Sequence, residues 1–266
     1  MSDKIKKRIV CVGGGMGLGN AESVEFNKWL LSLPNRPSPK VLYIPTGNGE
    51  SEEDIINLQK NLKGYECKVS VLSLFDRQHS DEQLREFIMG HDIIYVGGGN
   101  TANMLAVWDV HGLRPILREA YESGIVLSGK SAGAMCWFEG GLTDSFGPEL
   151  KPIKNTLGIL KGSLVPHFHH LDIYRQALFE KAVREGVLPE GIGMPDRLSL
   201  SFEDGELMDI IAEDPELYAE LVRLDNLGEY IEELRPTKIM PREKIVEKEK
   251  TEKASREPYE LKSSLR

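Results

Sequence analysis

Six short apolar runs constrain the fold more than any other feature of this chain: Arg8 to Val12, Val41 to Pro45, Cys67 to Phe75, Asp92 to Val96, Ile125 to Ser128 and Ser163 to Val165. They lack the apolar/polar alternation of a half-solvated strand, so each predicts a strand covered on both faces, as in a parallel sheet. Segments with helical periodicity lie between them. The clearest, Ser80 to Met89, opens with Ser80 and Gln83 at capping-box spacing, carries Leu84, Phe87 and Ile88 on one face and stops at Gly90. Further helices are expected over Ala21 to Leu31, Glu52 to Leu62, Pro115 to Ser123 and Ile173 to Glu185. The alternation of strand and helix predicts the α/β class: a doubly wound, mostly parallel sheet flanked by helices in a three-layer sandwich. A hairpin over Leu198 to Ile210, turning at Asp204 and Gly205, would close it.

The 266 residues suit one α/β domain over 1–240, followed by a different kind of segment. Residues 241–266 hold eight Lys or Arg and six Glu with few apolar groups, which predicts a solvated helix or a disordered tail. The formal charge of −9 argues against a surface that coats nucleic acid. No run approaches the roughly 20 apolar residues that cross a bilayer, so no membrane partner is expected. The lysines and short apolar stretch before Gly13 fall below the 7 to 15 apolar residues of a signal peptide, and a first buried strand is the better reading. Cys11, Cys67 and Cys136 are odd in number and lack Cys-x-x-Cys spacing. Neither a disulfide framework nor a thiolate zinc site is suggested, and a reducing cytoplasm fits best.

Two glycine clusters and one serine motif end predicted strands. Gly13, Gly14, Gly15, Gly17 and Gly19 stand where a dinucleotide fingerprint would sit, but no choice among them gives Gly-x-Gly-x-x-Gly, so they read as a flexible strand-to-helix turn. The second cluster, Gly97 to Gly99, is followed by Asn100 and Thr101, either of which would cap the next helix. The strongest signal is Gly129-Lys-Ser-Ala-Gly133, where a β run turns into a helical stretch. Glycines two before and two after Ser131 let the chain turn sharply and project the hydroxyl at the carboxyl edge of the sheet. The N–H groups of Ala132 and of Gly98 or Gly99 would then face an oxyanion formed by attack of Ser131 on a carbonyl. Without catalysis, the same turn would be a serine N-cap.

A serine nucleophile needs a base and an acid that orients it. Of six histidines, His79, His91 and His111 fall beside helix ends or loops, whereas His167 ends a strand-like run at the same sheet edge as Ser131. His167, His169 and His170 also invite a reading as metal ligands, but no carboxylate–histidine motif of metal spacing accompanies them, and no metal or cofactor is expected. Two acids compete to orient His167: Asp144, just beyond the elbow helix, and Asp196, in a later loop.

Taken together and in this order, Tyr95-Val-Gly-Gly-Gly-Asn-Thr101, Gly129-Lys-Ser-Ala-Gly-Ala134, Thr143-Asp-Ser145 and Pro166-His-Phe168 resemble the peptidase E (α-aspartyl dipeptidase) family of serine peptidases. The resemblance spans about Lys7 to Ile211 and implies the fold of class I glutamine amidotransferases, with serine in place of cysteine at the elbow. It implies Ser131 as nucleophile and His167 as general base. Asp144 falls near that family's proposed triad aspartate, while cyanophycinase-like relatives use an acid nearer Asp196. It further implies Asn100 and Arg175 as substrate-binding residues, Arg175 meeting an aspartate side chain. The expected activity is hydrolysis of small peptides with N-terminal aspartate through an acyl-enzyme, with assembly into a homodimer left open. Two alternatives stand beside it: a cyanophycinase-like peptidase for β-aspartyl-arginine links, and a non-catalytic binding protein for a small acidic metabolite.

Overall fold

A computed structural model describes residues 5–169, 171–225 and 228–243. The first strand, β1 (Arg8–Val12), shows why the apolar runs do not alternate: Ile9 and Cys11 pack on one side and Val10 and Val12 on the other, all fully buried. Helix α1 (Val24–Ser32) follows, then β2 (Lys40–Ile44), α2 (Glu52–Leu62), β3 (Lys68–Val71), α3 (Asp81–Met89), β4 (Ile93–Val96), α4 (Thr101–Val110), α5 (Leu113–Glu122) and β5 (Val126–Lys130). These five strands pair in parallel in the order β1-β5-β4-β2-β3. One face carries Leu42, Ile44, Ile94, Val96 and Leu127 against residues of α3, α4 and α5. The other carries Val41, Tyr43, Ile93, Tyr95 and Val126 against α1 and α2. Because side chains alternate across a strand, apolar residues at every position require a layer on each side, and the fold class is α/β with helices flanking the sheet.

Local signals set the helix starts. The Ser80–Gln83 capping box forms at α3, and Ser51 accepts from the Asp54 N–H at α2. Helix α1 starts at Val24, later than the expected Ala21, because the Asn20 side chain takes the Glu22 N–H and Asn27 takes that of Gly19. Strand β3 is shorter than the Cys67 to Phe75 run because the Glu50 carboxylate accepts from the Ser73 hydroxyl and from the N–H groups of Leu74 and Phe75.

The chain continues through α6 (Ala132–Met135), β6 (Gly140–Thr143), β7 (Lys151–Lys154), β8 (Ser163–Pro166), α7 (Ile173–Arg184), β9 (Gly191–Met194), β10 (Leu198–Glu203), β11 (Glu206–Ala212), β12 (Ala219–Asp225), β13 (Gly228–Leu234) and β14 (Lys238–Ile239). The hairpin β10–β11 forms as expected and adds antiparallel to β1, with β14 beyond it. A second sheet, in the order β13-β12-β9-β8-β6-β7, is unforeseen, and it takes β8 out of the main sheet. Helix α7 packs on it through Phe179, Ala182 and Val183, against Leu142, Val165, Phe168 and Val222. Of its strands only β8 is expected from sequence, and β6 and β9 escape sequence reading because they are short and half glycine. Gly193 must be so, since a Cβ there would lie 2.4 Å from the Phe168 ring.

Of the charged C-terminal segment, Pro241 to Glu243 are described and residues 244–266 lie outside the described residues. Arg242 is held by Glu22, Glu213 and the Gly15 carbonyl. Among the described residues, no helix is long and apolar enough to cross a membrane.

Candidate active site

The elbow is built by close packing behind β5. A Cβ at Gly129 would lie 2.1 Å from the Gly133 carbonyl oxygen, and one at Gly133 would lie 2.3 Å from that of Val96, so both glycines are required by contact. Between them Ser131 takes φ 55°, ψ −114°, a conformation worth about 1–3 kcal/mol of strain for a residue with a side chain. The surroundings hold it there. Its N–H donates to Val12, and its carbonyl accepts from Ala134 and Met135 at the start of α6.

His167 follows β8 at the same edge, also with positive φ (58°). Its Nε2 lies 2.8 Å from Ser131 Oγ, and its Nδ1 lies 2.6 Å from Asp196 Oδ1. With Nδ1 donating to Asp196, Nε2 presents a lone pair to the Ser131 hydroxyl, the arrangement that extracts a proton from a serine. The hydrogen bond from His167 holds the Asp196 carboxyl below its ordinary range, with the charges of His167 and His169 adding to the effect against partial burial. Asp196 therefore remains a carboxylate at neutral pH. His169 reaches the second oxygen of Asp196 at 3.3 Å. Among the described residues no three His, Cys, Asp or Glu side chains are placed to hold a metal ion, and His170 lies outside the described residues.

Asp196 occupies the position that sequence reading left open between two acids. Of the two candidate acids, Asp196 makes the Nδ1 contact, whereas Asp144 is exposed and lines the neighbouring cavity. Beside Asp144, Ser145 anchors α4 and is itself held by the Thr143 hydroxyl. Asn100 Nδ2 donates to the Ser145 carbonyl (3.0 Å), and the Ala102 N–H donates to Ser145 Oγ. Asn100 also caps α4 by accepting from Asn103, so both ends of its amide serve the scaffold while it lines the cavity.

Two cavities of about 490 Å³ each meet at Gly99, Ser131 and His167. One is lined by Ala132, Thr143, Asp144, Pro166 and Arg175, among others. The Arg175 side chain is 19% exposed and is fixed by Asp172 and the Pro166 carbonyl, which makes it a wall group instead of a solvated surface arginine. The other cavity is lined by Gly14 to Asn20, Tyr43, Asn48, Asp54, Tyr95 and Lys130, among others. Burial, with help from the Asp54 charge, pushes the Tyr43 phenol up to about 12, so it stays protonated. Gly98 and Gly99 reach Ser131 from the end of β4: a Cβ at Gly98 would be 3.5 Å from that of Ser131. No backbone carbonyl among the described residues accepts from the N–H groups of Gly98, Gly99 or Ala132.

The glycine cluster at 13–19 is more than a flexible turn. Gly13 donates to Leu198 and the Gly14 carbonyl accepts from Arg197, tying the loop to the segment that carries Asp196. A Cβ at Gly14 would lie 2.3 Å from Asp196 Oδ1 and 2.7 Å from the His167 ring. Five glycines in seven residues is the signal that a backbone passes something closely, and here it passes the histidine and its acid.

The profile of Peptidase family S51 matches residues 9–210. A Bacillus subtilis protein named "Uncharacterized peptidase YgaJ" is 37% identical over 206 residues, covering 77% of this chain and 87% of that one. Peptidase E from Pasteurella multocida is 31% identical over 142 residues, covering 53% and 59%. Among solved structures, a peptidase from an acI-B1 Actinobacterium superposes with a TM-score of 0.62 at 21% identity, covering 86% of this chain and 94% of the other. A putative peptidase E protein from Listeria monocytogenes EGD-e superposes with a TM-score of 0.56 at 17% identity, covering 76% and 97%. At such identities the likeness of structures speaks to the fold.

Proposed function

The chain belongs to Peptidase family S51 and is a peptidase; from that premise we propose that it is a serine-type exopeptidase that removes N-terminal aspartate from dipeptides. The observation that carries this reading is the chain of contacts Ser131–His167–Asp196, at 2.8 and 2.6 Å, at the junction of two cavities. Ser131 Oγ attacks the scissile carbonyl as its proton passes to His167 Nε2. Asp196 stabilises the resulting imidazolium. The N–H groups of Ala132 and of Gly98 or Gly99 receive the oxyanion. His167 returns the proton to the leaving amine, which departs and leaves an aspartyl ester on Ser131. A water deprotonated by His167 then hydrolyses that ester.

Arg175 supports the aspartate preference, because a guanidinium held in a cavity wall pairs with a carboxylate more strongly than a solvated one. Asp144, in the same cavity, is a carboxylate suited to the free α-ammonium that an exopeptidase must recognise. The test is a panel of Asp-Leu, β-Asp-Leu, Glu-Leu and Ala-Leu with the purified protein and its Ser131→Ala variant. Asp-Leu is expected to turn over well ahead of the others, and the variant to lose at least three orders of magnitude in kcat. Preference for β-Asp-Leu would move the reading to an isoaspartyl peptidase, and hydrolysis of none would return it to a binding protein.

A further inference from the structure

We propose that Lys130 reads the free carboxylate of the leaving amino acid and so restricts the enzyme to dipeptides. The inference rests on the peptidase reading above and extends it to the cavity opposite Arg175. Lys130 is the last residue of β5, exposed and directly before Ser131, and it lines that second cavity. A Cβ on Gly98 would be 3.8 Å from Lys130 Cε and 3.5 Å from Ser131 Cβ, so the lysine and the nucleophile flank the same glycine. No acceptor or carboxylate among the described residues pairs with its ammonium. The one carboxylate lining that cavity, Asp54, is engaged by Asn48 Nδ2.

An unpaired cation beside a nucleophile has two plausible uses in a serine peptidase, and His167 already supplies the base. The remaining use is to bind an anion in the substrate. When the acyl half of a dipeptide lies toward Arg175, the leaving residue falls in the Lys130 cavity. Its carboxylate then lies within one residue of the scissile nitrogen, a span of about 3.3–3.6 Å per residue. A lysine adjoining the nucleophile can cover that distance. A longer peptide would place a neutral amide there and leave the ammonium unpaired.

The test compares kcat/KM for Asp-Leu with that for its amide, Asp-Leu-NH2, in the wild type and in Lys130→Gln, Lys130→Met and Lys130→Arg. The wild type should favour the free acid by about ten- to a hundredfold, the range of a hydrogen bond to a charged group. The ratio should collapse towards one in the Gln and Met variants and largely survive in the Arg variant. A wild-type ratio near one, or the same ratio in Lys130→Met, would overturn the proposal. So would a shift of the pH profile in the variants with the ratio unmoved. If the wild type cuts neither peptide, the aspartyl reading fails on its own, and the role of Lys130 is decided by protection of Ser131 from a fluorophosphonate. N-acetylleucine should then protect better than its amide in the wild type and no better in Lys130→Met; equal protection by both in the wild type would refute the role.

Discussion

Asp196 and Asp144 carry the same functional group, yet one touches His167 and the other lines a cavity that His167 also lines. Asp196 holds His167 Nδ1 and is itself kept ionised by that contact, whereas Asp144 faces the Arg175 cavity from an exposed loop. Asp196→Asn should therefore lower kcat by about 10³–10⁴-fold, because an amide can select the wrong histidine tautomer. Asp144→Asn should leave kcat within a few-fold and raise KM for Asp-Leu, a split that steady-state kinetics on the two variants reads directly. The reverse pattern would restore Asp144 as the orienting acid. Ser131 and His167 were legible in sequence because each ends a recognisable strand inside a short motif. The choice of acid was not, since it depends on which distant loop returns to the imidazole, and nothing local to Asp144 or Asp196 records that. The 13–19 glycines were visible but misjudged, because the surface they approach is carried by residues about 150 to 180 positions later.

Elements place these residues through their ends. Strands β4, β5 and β8 deliver Gly98, Ser131 and His167 to one region, and α4 is bound to the Thr143–Ser145 loop by its own cap. Two caps of similar chemistry thus differ in what they support. Ser80→Ala at α3 should cost about 1 kcal/mol of stability and leave kinetics unchanged. Asn100→Ala at α4 should cost a similar amount and also weaken Asp-Leu turnover several-fold, by freeing the loop beside the substrate cavity. Chemical denaturation paired with kinetics separates the two, and equal kinetic silence would show that the loop is held without Asn100. The helices and parallel strands were readable because their apolar pattern is dense and their caps local. The second sheet was not: β6 and β9 carry glycine where a strand pattern would need side chains, and β12, which pairs with β9, lies further along the chain.

Across the whole molecule, the far end of the described chain is tied to the glycine loop at its start. Arg242 bridges Glu22 and Glu213 and donates to the Gly15 carbonyl, and the Glu213 side chain is only 2% exposed. Arg242→Ala would leave a buried carboxylate with the Ser23 hydroxyl as its remaining side-chain donor among the described residues, at a cost of about 2 kcal/mol, less than for a fully enclosed pair because the arginine is itself a third exposed. A fall in Tm of about 4–8 °C is expected, with a several-fold loss in kcat/KM as the Gly14 to Gly19 wall loosens. An unchanged Tm would show that the tether carries no load. In the proposed reaction one serine, served by one histidine, opens the peptide bond through an ester. This route is tested most directly by quenching Asp-Leu turnover in acid and mapping the adduct by peptide mass. An aspartyl ester is expected on the peptide containing Ser131, absent from Ser131→Ala, which should not turn over. Turnover by Ser131→Ala at a rate near wild type, without any adduct on the wild-type peptide, would contradict it.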